Sequence, residues 1–129
     1  MKIDHIAFWV NNLEIIKEFY IKYFNASSNE KYHNEAKRFQ SYFLSFQDGC
    51  RIEIMNRPDI TETSDIYKHP KTGITHFAFS AGSKDKVDEL TEQLRKDGYT
   101  IAGEPRVTGD GCYESVILDP ENNIVEITI

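Results

Sequence analysis

Residues 3–8 read Ile-Asp-His-Ile-Ala-Phe, and residues 74–79 read Ile-Thr-His-Phe-Ala-Phe. Four of the six positions are identical at an offset of 71. The same offset carries Asn12 onto Ser83, each ahead of a helical pattern, and Tyr42 onto Tyr113. Later in each copy, Arg51-Ile52-Glu53-Ile54 matches Ile124-Val125-Glu126-Ile127 at an offset of 73. The two extra residues are expected in a turn, Asp48-Gly49 against Asp119-Pro120-Glu121-Asn122-Asn123, where insertions cost little. Three ordered matches with one small slip make the chain two copies of a unit of about 60 residues. Module 1 covers about 1–56, a linker with Pro58 and Pro70 covers about 57–72, and module 2 covers about 73–129.

Each unit has the same order of elements. Residues 3–10 alternate, with Ile6, Phe8 and Val10 on one face and His5, Ala7 and Trp9 on the other, the period of a strand. Asn11 or Asn12 caps a helix whose apolar side is Leu13, Ile16, Tyr20, Tyr23 and Phe24. Lys31 to Lys37 is polar and reads as a weak strand or loop. Residues 40–47 and 50–56 are two β-rich runs joined at Asp48-Gly49, a hairpin signal. In the second unit a strand covers 74–80. Ser83 caps a helix with Val87, Leu90 and Leu94 inward and Gly98 as its stop. Strands follow near 99–107, 112–118 and 123–129. The reading is an α+β chain made of strand, helix and three strands, written twice.

Composition removes several function classes. The 129 residues are 40% hydrophobic and 28% charged, enough for a core without disulfide or metal staples. Lys plus Arg is 15 and Asp plus Glu is 21, a formal net charge of −6 with no basic run. Nucleic acid and anionic membrane are therefore not expected partners. No apolar stretch is long enough to span a bilayer, and the first residues carry no secretory pattern. Cys50 and Cys112 form neither a CxxC pair nor a disulfide framework, so a cytoplasmic location is expected. His33 and His69 fall in polar segments and read as solvated loop residues.

Alternation then singles out four polar residues. Ile6, Phe8, Phe77 and Phe79 face the helix in the first strands, as do Ile52, Ile54, Val125 and Ile127 in the last. The opposite face carries His5, Glu53, His76 and Glu126. A carboxylate in mid-strand is normally paired or metal-bound, unless that face is simply solvated. Two imidazoles and two carboxylates at equivalent places suit one divalent transition metal, Zn, Ni, Mn or Fe. The same face carries Trp9, Arg51 and Met55. Arg51 is a candidate for an anionic substrate group and Trp9 for an apolar one, against the plain alternatives of a rim salt bridge and packing.

The chain resembles the vicinal oxygen chelate superfamily, which includes glyoxalase I, bleomycin-resistance proteins and extradiol dioxygenases. The resemblance rests on Asp4-His5-Ile6-Ala7-Phe8, Phe19-Tyr20, Ile74-Thr75-His76-Phe77-Ala78-Phe79, and Leu118-Asp119-Pro120-Glu121-Asn122-Asn123-Ile124-Val125-Glu126-Ile127. It implies two tandem βαβββ modules whose curved sheets form a metal-lined cavity, frequently completed by a second chain in a homodimer. In glyoxalase I-like members the ligands are His or Gln, Glu, His and Glu, at the positions of His5, Glu53, His76 and Glu126. It implies one divalent ion per site, Zn or Ni first, with Mn or Fe as alternatives.

The activity so implied is that of a metal-dependent lyase or isomerase acting beside a carbonyl of a small molecule. By resemblance Glu126 is the catalytic base, with Glu53 as its alternative or partner. Glutathione-using glyoxalases commonly carry Arg four residues after the first ligand. Here that residue is Trp9, which argues against a glutathione substrate. Two other functions compete. An Fe(II) extradiol-type dioxygenase would use His5, His76 and Glu126, without a role for Glu53. A non-catalytic small-molecule or antibiotic-binding resistance protein would bind its ligand without metal.

Overall fold

The computed structural model describes residues 1–63 and 65–129. The chain divides into two compact units, Met1–Thr63 and Ser64–Ile129.

The first unit opens with β1 (His5–Trp9) and α1 (Leu13–Phe24). Asn12 is the cap, and its side chain accepts a hydrogen bond from the Ile15 amide. The helix buries Leu13, Ile16, Phe19, Tyr20 and Tyr23. It packs on β4 (Phe39–Ser45) and β5 (Arg51–Asn56), which bury Tyr42, Leu44, Ile52 and Ile54. Asn25 ends the helix in the left-handed conformation, with φ of 54°. Two short strands follow, β2 (Ser27–Ser28) and β3 (Tyr32–Asn34), both paired antiparallel with β4. Together they form one interrupted edge strand, and the sheet order is β1-β5-β4-β2. The Lys31–Lys37 expectation caught β3 and missed β2. Ser-Ser on a polar edge carries no period-two apolar signal to read.

The second unit contains β6 (His76–Ser80), α2 (Lys84–Lys96), β7 (Ile101–Val107), β8 (Tyr113–Leu118) and β9 (Ile124–Thr128). Ser83 caps α2, whose buried residues are Val87, Thr91 and Leu94. Gly98 follows with φ of 90°, open to glycine without strain. The sheet order is β6-β9-β8-β7. Pro105 is tolerated in β7 because that strand is an edge with register shifts.

Both sheets pair alike. Strands β1 and β5 are parallel with Ala7 level with Glu53; β6 and β9 are parallel with Ala78 level with Glu126. The placement of the two-residue slip differs from the sequence expectation. Tyr42 pairs with Ile54, and Ser115 pairs with Ile127. At the 73-residue offset that relates Ile54 to Ile127, Tyr42 corresponds to Ser115 rather than Tyr113. The slip therefore lies between the helix caps and the hairpins, not in the hairpin turn. Part of it is the helix itself, 13 residues in α2 against 12 in α1.

Candidate metal and substrate site

In the first unit, direct register partners place His5 beside Arg51, Ala7 beside Glu53 and Trp9 beside Met55. Register partners point to the same side of a sheet, so His5, Trp9, Arg51, Glu53 and Met55 share one face, with Phe43 opposite Glu53. The other face is the one that α1 covers. His5 opens its strand rather than lying within it, and its side chain is 39% exposed.

Asp4 accepts hydrogen bonds on one oxygen from His5 Nδ1 at 2.9 Å and from an Arg51 terminal nitrogen at 2.6 Å. These two partners, His5 first, hold the Asp4 carboxyl below its ordinary range. The Phe43 ring stands edge-on to His5 at 5.2 Å, and the Arg51 guanidinium lies over the same ring at 4.4 Å. Trp9 is exposed, edge-to-face with Phe39 at 6.0 Å and with Arg57 over its ring at 5.5 Å. Arg51 thus does make the plain salt bridge, and on the same face as His5 and Glu53.

In the second unit His76 also opens its strand, and its Nε2 lies 3.2 Å from Glu126 Oε2. Glu126 is third in β9, with a side chain only 19% exposed. Beside it is a residue that sequence reasoning missed. Glu114 pairs with Thr128, which puts it on the face of Glu126. Burial pushes its carboxyl above the ordinary range and the Glu126 charge adds to this, while Arg106 at 4.0 Å opposes it. The alternation that exposed Glu53 and Glu126 also marks Glu114, in phase with Val116 and Leu118.

Imidazole nitrogen and carboxylate oxygen are a donor set that divalent transition metals accept. Two features of the chain fit such an ion. His76 and Glu126 already converge on each other, and His5 has its Nδ1 engaged by a carboxylate, the usual support for a metal-binding imidazole. What the structure brings together is a His and a Glu on one face of each sheet. Among the described residues, no group of three or more His, Cys, Asp or Glu side chains is disposed to hold a metal ion. His33 is paired in β3 and His69 stands 3.8 Å from Asp65, both exposed. Cys50 and Cys112 are free.

The sequence profile of the glyoxalase/bleomycin resistance protein/dioxygenase superfamily matches residues 2–127. The chain belongs to this superfamily. A relative from Bacillus subtilis (strain 168), the uncharacterized protein YqjT, is 28% identical over 126 residues, covering 95% of this chain and 94% of that protein. Among solved structures, a glyoxylase/bleomycin resistance protein/dioxygenase domain from Frankia sp. EAN1pec superposes with a TM-score of 0.82 at 18% identity, covering 100% of this chain and 97% of that one. A possible glyoxalase from Bacillus cereus gives 0.74 at 22% identity, over 100% and 99% of the two chains. Glyoxalase I from Zea mays gives 0.80 at 20% identity, over 98% of this chain but 44% of that protein. The present chain therefore spans less than half of the maize enzyme's length. At these identities the structural likeness is one of fold: α+β, with tandem vicinal oxygen chelate modules. Among the described residues, no helix is long and apolar enough to cross a membrane.

Proposed function

We propose that the protein is a metal-dependent lyase or isomerase of the glyoxalase type, acting at the carbon beside a carbonyl of a small molecule. The observation that carries this reading is the repeated register. In each sheet a histidine and a glutamate share a face, the glutamate level with the alanine two residues past the histidine. Superfamily membership supports the same reading. His5, Glu53, His76 and Glu126 would hold one divalent ion, Zn or Ni before Mn or Fe, in a homodimer. When bound, the ion supplies a Lewis acid for a carbonyl oxygen.

The chain's own residues supply the rest. Glu126 is the base: its carboxylate, 3.2 Å from His76, takes the proton from the carbon and can return it. Glu53 is the second carboxylate. Arg51, steadied by Asp4 and Phe43, retains guanidinium N–H groups for an anionic group of the substrate. Trp9 offers an exposed ring to an apolar part. Trp9 in place of an arginine argues against a glutathione adduct as the substrate.

Elemental analysis of untagged protein purified without chelator tests the metal, alongside the His5→Ala, His76→Ala double variant. A stoichiometric metal that is lost in the variant is expected. No metal, even after reconstitution with each candidate ion, would overturn the reading and leave a ligand-binding protein in its place.

A further inference from the structure

We propose that Asp4 is a positioning residue for His5: its carboxylate selects the imidazole tautomer whose Nε2 carries the lone pair, and the same oxygen tethers Arg51 alongside. An ionised carboxylate only accepts hydrogen bonds, so the contact of Asp4 with His5 Nδ1 at 2.9 Å requires the hydrogen to be on Nδ1. A neutral imidazole has a single N–H, which leaves Nε2 as the donor atom toward a metal. The carboxylate is itself held. The Arg51 amide donates to the Asp4 carbonyl at 3.0 Å, and an Arg51 terminal nitrogen donates to the Asp4 carboxylate at 2.6 Å. Phe43 then fixes both partners, edge-on to His5 and beneath the Arg51 guanidinium.

The second unit lacks this device. Its residue equivalent to Asp4 is Thr75, which has no carboxylate, and His76 instead meets Glu126 directly through Nε2. The two histidines are thus set by different means: His5 by the residue just before its strand, His76 by the glutamate on the neighbouring strand. Arg51 is attached to the same oxygen as His5, so Asp4 also fixes the distance between the imidazole and the guanidinium offered to a substrate anion.

The effect of Asp4 on metal affinity rests on the metal reading of His5, whereas the tautomer does not. The full-length, metal-free protein is labelled with 15N-histidine and observed by long-range 1H–15N NMR at a pH of about 8.5, where an ordinary imidazole is neutral. The His5→Ala variant identifies the His5 signals. Wild-type protein should show Nδ1–H at His5, and Asp4→Ala should move the population toward Nε2–H. Unchanged signals from His33, His69 and His76 report an intact fold. Wild-type His5 protonated on Nε2, or an unchanged tautomer in Asp4→Ala, would overturn the proposal.

Calorimetric titration with Zn²⁺ and Ni²⁺ then reads affinity directly. Asp4→Ala should bind roughly 10- to 100-fold more weakly than wild type, the usual effect of removing a partner behind a ligand. Unchanged affinity in Asp4→Ala, with affinity lost in His5→Ala, would overturn the positioning role. If His5→Ala itself binds metal like wild type, the metal reading of His5 fails, and the tautomer still decides what Asp4 does.

Discussion

Glu126 stands 3.2 Å from His76, and its replacement by an isosteric amide separates two roles. Glu126→Gln keeps an oxygen for a metal and removes the base. Turnover on a confirmed substrate should fall by roughly 100-fold or more, the usual worth of a positioned base, with metal content retained. Turnover near wild type would refute the base assignment. Glu114 pulls the other way. A carboxyl whose folded value is raised costs stability once the pH exceeds its ordinary value, because the unfolded chain ionises more readily. Glu114→Gln should therefore unfold at higher denaturant than wild type at pH 7, and the gain should shrink as pH falls through the carboxylate range. Glu14 has the opposite sign. Hydrogen bonds from Lys17, then Lys31, with Tyr42 helping, lower its carboxyl to about 2. Its contribution is present above the ordinary carboxylate value of 4.5 and is lost as pH falls toward about 2. The side chain is half-exposed, so solvent screening limits that contribution to about 1 kcal/mol. Glu14→Gln should flatten the acid limb of stability measured by denaturant titration across that window.

Helix α2 is joined to β8 by a buried polar contact. Thr91 donates to the Val87 carbonyl at 2.6 Å and lies 2.6 Å from the Ser115 hydroxyl, which is left to donate to it. Both side chains are fully buried. Thr91→Val strands the Ser115 hydroxyl and should cost about 1–3 kcal/mol in equilibrium unfolding. Adding Ser115→Ala should return part of that, since an absent hydroxyl needs no partner. Full additivity of the two losses would mean the pair does not interact. The β8–β9 turn has its own clamp. Asp119 is buried and accepts from the amides of Glu121 and Asn123 and from the Asn123 side chain, each at 2.9 Å. The Asp-Pro-Glu-Asn-Asn run is thus a turn whose carboxylate satisfies backbone donors. It fixes where β9 begins and hence which way Glu126 points.

A divalent ion that binds only the folded protein must stabilise all of it. At a free concentration of about 100 times Kd the gain is about 2.7 kcal/mol, and a chelator should reverse it. Thermal unfolding with Zn²⁺ or Ni²⁺, before and after chelator, checks this. An ion that leaves the melting temperature of wild type and of the His5→Ala, His76→Ala variant equally unmoved does not bind here. Sedimentation equilibrium should give twice the 15.0 kDa chain mass if the protein is the homodimer proposed.

The repeat, the two helices with a cap at Ser83 and one at Asn11 or Asn12, and the face assignment of His5, Glu53, His76 and Glu126 were legible in the chain itself. Periods of two and 3.6 are local properties, and apolar burial enforces them. Three features were not legible. The strand Ser27–Ser28 has no apolar face and exists only because β4 offers it backbone partners. The Tyr42–Tyr113 match is real in sequence but not in register, because strand pairing is set by hydrogen bonds across the sheet rather than by side-chain identity. Both tyrosines nonetheless bond an acidic residue of their own helix, Glu14 at 2.9 Å and Asp88 at 2.7 Å. Last, the partners of the candidate residues came only with the tertiary fold: Asp4 shared between His5 and Arg51, and Glu114 beside Glu126. Arg51 lies 47 residues from Asp4, and no local period encodes a hydrogen bond over that span.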